Sequence, residues 1–119
     1  MAFDENTVRL VWEKGRKVDG VDEGMFRKDA CGAWIMRDKY GKTHPFGWVI
    51  DHIFPVSKGG TCIPENLRPL QYQNNISKAD DYPSYTASVT SEEDKNISRE
   101  QNLTVNSKTR EMLAKIYNG

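Results

Sequence analysis

Cysteine is scarce in this chain, which argues against a zinc-stapled or disulfide-rich fold. Cys31 and Cys62 are the two cysteines among 119 residues, and no Cys-x-x-Cys pair occurs. Structural zinc sites usually take ligands from such closely spaced pairs, so we predict no structural zinc. We expect both thiols to stay reduced, because disulfides are rare in the cytosol.

The chain also has no excess of charge. It contains 17 Lys and Arg and 17 Asp and Glu, evenly mixed and without a basic tail. A net charge of zero exerts no overall attraction on nucleic acid. Any binding of nucleic acid must therefore come from a local patch of charge.

Long apolar runs are absent as well. No run is long enough to span a membrane, so we expect no membrane partner. The segment 1–6 turns acidic at once, whereas a secretory signal begins basic and continues apolar. We therefore expect a cytoplasmic protein.

The length of the chain fits a single domain, and we take residues 1–119 as one unit. Residues 4–14 are predicted to form a short helix, because apolar residues recur there at helical spacing. The Gly- and Asp-rich stretch 15–25 predicts a loop, and residues 33–37 predict a strand.

The C-terminal third of the sequence carries no evident chemistry. Residues 82–90 predict a polar connector, and the capping-box pattern at 91–94 predicts a helix from about 91 to 101. Residues 107–117 predict a final helix with one apolar face. This extension, at about 90–118, would either dock on the rest of the domain or offer a surface to a partner. We expect docking, because so small a domain needs all of its apolar area.

Residues 48–78 concentrate the polar side chains that are suited to chemistry. An apolar, β-branched run over 48–54 predicts a strand, and a Pro and a Gly-Gly turn break it. Residues 67–70 predict a second, short strand, and residues from about 71 to 79 predict a helix. The candidate functional side chains on these elements are Asp51, His52, Asn66, Asn75 and Lys78.

At these residues the chain resembles the small stand-alone HNH endonucleases, also known as His-Me finger or ββα-metal nucleases. The elements that match the family pattern in order and spacing are Asp51-His52-Ile53, Pro55, Ser57-Lys58-Gly59-Gly60, Asn66-Leu67 and Asn75-Ile76-Ser77-Lys78. The resemblance implies an α+β fold with a ββα-metal core at about 48–80, packed between an N-terminal helix and C-terminal helices. It also implies metal-dependent hydrolysis or nicking of DNA that leaves 5′-phosphate and 3′-hydroxyl ends.

By this resemblance, His52 is the general base that takes a proton from the attacking water. An imidazole suits that role because its ordinary pKa of about 6.5 leaves it largely neutral at working pH. Asp51 and Asn75 are the expected metal ligands, and their hard oxygen atoms favour Mg²⁺ or Mn²⁺. Asn66 would brace the backbone that aims His52.

Three basic residues are candidates for contact with the phosphate backbone, with Lys78 first and Lys58 and Arg68 after it. Asn74 is an adjacent rival of Asn75, and the Asn-x-x-Lys spacing selects Asn75. Two alternatives stay open beside an active nuclease. They are an inactive nucleic-acid-binding module on the same fold, and a toxin-type nuclease with an immunity partner.

DNA is the expected partner, and RNA stays open as an alternative substrate. We expect a monomer or a weak dimer. Symmetric cleavage of both strands would require the dimer, because a twofold site is cut by two copies of the active site.

Overall fold

The computed structural model describes residues 3–117. This part of the chain contains three α-helices and three two-stranded antiparallel sheets, joined by loops and short 3₁₀ turns. The helices are α1 (Glu5–Trp12), α2 (Tyr72–Lys78) and α3 (Ser107–Tyr117). The strands are β1 (Phe26–Lys28), β2 (Trp34–Met36), β3 (Trp48–His52), β4 (Leu67–Gln71), β5 (Ser84–Glu92) and β6 (Lys95–Thr104). Each strand pairs with its neighbour in the chain, so the architecture is a compact α+β fold of the expected class.

Helix α1 packs its apolar stripe into the first core cluster. Asp4 caps the helix, because its side chain accepts a hydrogen bond from the N–H of Thr7 at 2.8 Å. Val8, Val11 and Trp12 are all buried on one face. The other buried members of the cluster are Ile35, Trp48, Ile50 and Leu67. The predicted N-terminal helix is therefore present, and it ends two residues early.

Asp29 ties the first sheet to β4 and α2. It lies after β1, and its buried Oδ1 accepts hydrogen bonds from the N–H groups of Cys31 and Ala33. Its Oδ2 accepts from the N–H of Gln71 at 2.9 Å and from Nδ2 of Asn74 at 3.1 Å. Four donors on one carboxylate fix the junction of β4 and α2 against the β1–β2 turn.

The segment Trp48–Lys78 has the predicted order of strand, loop, strand and helix. β3 and β4 pair in antiparallel register along their whole length. α2 follows β4 directly, and the Gln71 side chain caps the helix by accepting hydrogen bonds from its first N–H groups. β2 likewise lies inside the strand predicted for residues 33–37.

Residues 84–104 form a long β-hairpin, and here the helix predicted from 91 to 101 is wrong. The two strands meet at a turn in which Glu93 has a φ of 56°, in the left-handed region. Buried and outward side chains alternate along β5. The buried ones that face inward are Tyr85, Ala87 and Val89. This period of two decides the structure over the local capping-box pattern, and it turns most of the predicted connector 82–90 into a strand.

Helix α3 docks on the rest of the fold, as expected for the helix predicted over 107–117. Leu113 is buried in the second core cluster, whose other buried members are Cys31, Ile53, Leu70, Tyr85, Ala87 and Val105. Tyr117 stacks on Phe54 with 5.1 Å between ring centroids, and its hydroxyl lies 2.8 Å from that of Thr61. Ile116 remains 40% exposed, so the apolar face of α3 is not fully covered.

Two expectations extend to the ends of the chain. The single domain over 1–119 and the extension to residue 118 include positions that lie outside the described residues. Within residues 3–117, no helix is long and apolar enough to cross a membrane.

Candidate active site

A cleft of about 300 Å³ is lined by three of the residues singled out from the sequence. It lies between the end of β3, the loop that follows it, and the C-terminal end of α2. Asp51, His52 and Asn75 all line it. The other lining residues are Ile50, Pro55, Val56, Ala79 and Asp80.

Asp51 and His52 are the last two residues of β3, and both line the cleft. Adjacent residues within a strand normally point to opposite faces of the sheet. Beyond His52 the chain turns into the loop, where the N–H of Ile53 donates to the carbonyl oxygen of Asn66 at 2.8 Å. Asp51 is 4% exposed and His52 is half-buried, so the carboxylate is the deeper of the two groups.

Two cationic side chains, the fully buried Lys78 and the partly buried Arg68, flank the Asp51 carboxylate. Arg68 Nε lies 2.9 Å from Asp51 Oδ2, and Lys78 Nζ lies 3.3 Å from Asp51 Oδ1. Lys78 is fully buried and also donates to the carbonyl oxygen of His52 at 3.2 Å. Burial lowers the pKa of Lys78, and Asp51 opposes that shift by favouring the charged ammonium. The two cations thus fix the carboxylate from the protein side.

These contacts correct the assignment of two basic residues. The sequence made Lys78 and Arg68 candidates for contact with the phosphate backbone, but both side chains pair with Asp51 instead. A buried ammonium cannot meet a phosphate without leaving its partner uncompensated. Lys58 differs, because it lies exposed on the 3₁₀ turn Val56–Lys58 at the side of the cleft. Of the three candidates, Lys58 keeps a position from which it can contact nucleic acid.

The surroundings of His52 favour a neutral imidazole. Burial lowers its pKa most and Lys78 lowers it further, while Asp51 raises it. The net shift is downward from the ordinary value of 6.5, so the ring is neutral near pH 7. Its Nε2 lies 3.3 Å from Cys62 Sγ, and the Phe3 ring centroid lies 6.0 Å from that of the imidazole. No motif in the sequence indicates the contact with Cys62.

Asn66 holds the loop that follows His52. It is fully buried, and its Oδ1 accepts a hydrogen bond from the N–H of Phe54 at 2.7 Å. Its Nδ2 donates to the carbonyl oxygens of Phe54 and Thr61, at 3.0 and 2.9 Å. Gly60 belongs to the same packed turn, where any Cβ would collide with the Phe54 carbonyl. The backbone beyond His52 is therefore rigid, and its value for catalysis stays a prediction.

The adjacent asparagines of α2 have different roles. Asn74 is fully buried, and its amide joins α2 to β5 through Ser88 and Val89 and to the turn that carries Asp29. Asn75 lines the cleft, and its side chain makes no hydrogen bond with another described residue. Its amide oxygen is therefore uncommitted, whereas that of Asn74 is fully used.

The donor atoms of the cleft suit a hard cation. Asp51 and Asn75 supply oxygen atoms, and Asp80 adds a second carboxylate that no motif in the sequence singles out. Oxygen donors of this kind favour Mg²⁺ and Mn²⁺ over softer metals. In the described part of the chain, His, Cys, Asp and Glu side chains form no group of three that could hold a metal ion. A cation would therefore depend on the Asn75 amide and on water for its remaining ligands.

No family model, no curated protein and no solved structure matched the chain in the three comparisons. Relatives thus contribute nothing to the assignment of a function. That assignment depends on the side chains of the cleft and on the residues that hold them in place.

Proposed function

We propose that this protein is a metal-dependent endonuclease that hydrolyses or nicks phosphodiester bonds in DNA. The observation that carries the proposal is the convergence of Asp51, His52 and Asn75 on one cleft. The segment Trp48–Lys78, with its order of strand, loop, strand and helix, would then be a ββα-metal core. The buried brace made by Asn66 supports the same proposal, because a general base must be held in a fixed orientation.

In this proposal, His52 takes a proton from the water that attacks phosphorus. Its lowered pKa leaves the ring neutral and so able to accept that proton. Because Cys62 Sγ lies 3.3 Å from Nε2, the attacking water must displace this contact or use the other ring nitrogen. Lys78 donates to the carbonyl oxygen of His52 and thereby helps to fix its backbone.

Asp51 and Asn75 are the proposed ligands of one Mg²⁺ or Mn²⁺. A divalent cation bound there supplies positive charge to the phosphate and stabilises the leaving oxygen. Arg68 and Lys78 each contact one oxygen of the Asp51 carboxylate. A carboxylate has about four lone-pair sites, so these two contacts leave room for a further partner.

An inactive nucleic-acid-binding module is the second candidate, and the ion pairs of Asp51 favour it. Both carboxylate oxygens already pair with a cationic side chain, so a metal ion must share them with Arg68 and Lys78. Such a module would bind DNA in the presence of Mg²⁺ and leave it uncut. Lys58, exposed beside the cleft, could serve either candidate.

Incubation of the purified protein with supercoiled plasmid tests the proposal. We expect nicking that requires Mg²⁺ and that EDTA abolishes. His52→Ala should reduce the rate by at least about a hundredfold, because general-base catalysis contributes about that factor or more. Asn75→Ala should raise the Mg²⁺ concentration needed for half-maximal rate, because it removes a ligand and leaves the base intact.

His44→Ala is the matched control, since it removes the other histidine of the chain from a loop outside the cleft. It should retain the wild-type rate. Nicking that persists in EDTA, or in the His52→Ala protein, would contradict the proposal. Plasmid binding without nicking in Mg²⁺ would identify the inactive module, and a parallel incubation with RNA would separate the two substrates.

A further inference from the structure

Helix α3 contacts the loop that follows His52, although none of its described residues lines the cleft. The hydroxyl of Tyr117, the last residue of α3, accepts a hydrogen bond from the N–H of Thr61 at 3.1 Å and lies 2.8 Å from the Thr61 hydroxyl oxygen. The ring of Tyr117 stacks on Phe54, with 5.1 Å between the ring centroids. The C-terminal end of α3 is therefore fixed to the loop at two places.

The backbone of Thr61 is held from two sides. Tyr117 accepts a hydrogen bond from its N–H, and Nδ2 of the fully buried Asn66 donates to its carbonyl oxygen at 2.9 Å. That carbonyl belongs to the planar peptide group that joins Thr61 to Cys62. The two hydrogen bonds therefore also restrict the backbone position from which the Cys62 side chain extends.

Cys62 is the residue of this loop that reaches the imidazole. Its Sγ lies 3.3 Å from Nε2 of His52. Among the described residues, Cys62 is the one hydrogen-bonding partner of the two ring nitrogens. The second side-chain torsion of a histidine has broad energy wells, so an imidazole without contacts samples several orientations. The contact with Cys62 selects among them.

We propose that Cys62 and Tyr117 are positioning residues for His52, and that α3 is thereby part of the active site. Cys62 accepts a hydrogen bond from Nε2–H, which leaves the lone pair of the neutral ring on Nδ1 to take the proton from water. Tyr117 holds the backbone that presents Cys62. The inference rests on the proposed nuclease function, since the orientation of His52 affects a rate only if His52 is the base. The state of the ring can nevertheless be measured without cleavage.

The nitrogen chemical shifts of the His52 ring, measured by NMR on the full chain, test the positioning directly. We expect the wild type to show a neutral ring protonated at Nε2, and Cys62→Ala should bring the two nitrogen shifts closer together as the tautomers mix. Tyr117→Phe keeps the aromatic stack on Phe54 and removes the hydroxyl, so it should cause a smaller change in the same direction. Cys62→Ser retains a hydrogen-bond acceptor and should keep the shifts closer to those of the wild type.

Plasmid nicking measures the consequence for the reaction. Tyr117→Phe should lower kcat by about tenfold and leave KM for plasmid unchanged, because it removes a hydrogen bond that orients the base from outside the cleft. Adding Tyr117→Phe to Cys62→Ala should slow nicking no further, because Tyr117 acts through Cys62. Tyr40→Phe is the matched control, since the Tyr40 hydroxyl makes no hydrogen bond with another described residue and its ring packs on Trp48. It should change neither kcat nor the ring shifts.

Ring shifts that stay unchanged in both Cys62→Ala and Tyr117→Phe would overturn the proposal. Equal changes from Cys62→Ser and Cys62→Ala, or additive losses of kcat in the double variant, would do the same. If the wild type leaves plasmid intact, the nuclease function fails, and the ring shifts alone decide whether Cys62 and Tyr117 orient His52. Circular dichroism shows whether Tyr117→Phe folds, and if it does not, Cys62→Ala decides, because that position is exposed.

Discussion

Lys78 Nζ on α2 lies 3.3 Å from Asp51 Oδ1 on β3, and both side chains are buried. This ion pair joins the helix that carries Asn75 to the strand that carries His52. Any shift of α2 relative to β3 therefore moves Asn75 relative to Asp51 and His52. The pair also explains why a lysine three positions after Asn75 belongs to the interior: the same helix face turns toward the sheet.

Loss of the Lys78 ammonium should weaken the fold. We expect Lys78→Met to lower the free energy of unfolding by about 3 kcal/mol, because removal of one partner leaves a buried charge less compensated. Lys42→Met, at an exposed loop position, should change it by less than about 0.5 kcal/mol. Urea unfolding measures both proteins. Equal stability of the two variants would show that the buried pair contributes nothing.

The Asp29 carboxylate should contribute about as much to the stability of the fold as a buried apolar side chain. Asp29→Asn replaces one acceptor oxygen by an N–H₂ group that cannot accept from the donors it now faces. We expect the free energy of unfolding to fall by about 3 kcal/mol, since buried donors are left unsatisfied. Asp19→Asn, at an exposed position, is the control, and its free energy of unfolding should equal that of the wild type in the same urea titration. An Asp29→Asn protein that is as stable as the wild type would contradict the role of Asp29 in holding the first sheet against α2.

Periodicity and spacing were sufficient to predict the part of the fold around the cleft. The apolar run of β3, the short apolar segment of β4 and the helical pattern of α1 and α3 each match an element. The Asn-x-x-Lys spacing selects Asn75 as the candidate metal ligand, and the hydrogen bonds of Asn74 to β5 leave Asn75 as the asparagine that lines the cleft. Its role as a ligand stays a prediction. Each of these patterns lies within one short segment, so it can be recognised from the sequence alone.

The remaining features depend on contacts between distant segments. The hairpin of β5 and β6 is favoured because Tyr85, Ala87 and Val89 bury one face of β5 in the core. Their alternation is visible in the sequence, but the distant segments that cover this face are not. Arg68 and Lys78 look like surface charges until the partner carboxylate of Asp51 is placed between them. A charged side chain is seldom buried unless it is paired. Because the partner lies on another element of the fold, the composition of the sequence does not show the pair.

The three side-chain hydrogen bonds of Asn66 predict a loss of both stability and cleavage on its removal. Asn66→Ala leaves the N–H and carbonyl of Phe54 without their partners, so we expect a loss of about 3 kcal/mol in the free energy of unfolding. At temperatures where the variant is folded, plasmid nicking should fall further than plasmid binding, because His52 loses its fixed backbone. Asn102→Ala, on the exposed side of β6, is the control. Equal losses of nicking and binding would limit Asn66 to a purely structural role.

The lowered pKa of His52 predicts how stability depends on pH. Burial puts the pKa of the folded imidazole below the value of about 6.5 that the unfolded chain retains. Between those two values the unfolded state holds the proton and the folded state does not, so stability decreases as the pH falls through this window. Above about 6.5 the contribution is fully present. Urea unfolding of the wild type and of His52→Gln across the window measures it, and a constant difference between them would show that no such shift exists.

Cleavage should follow the protonation of the same ring. If the neutral imidazole is the active base, the midpoint of the rate profile at saturating Mg²⁺ should lie below about 6.5. A base with the ordinary pKa would already have lost half of its activity at about 6.5. Titration of the His52 ring by NMR locates its pKa independently of activity. A ring pKa below the midpoint of the rate profile would show that another group limits cleavage, and coincident values would identify His52 as the base.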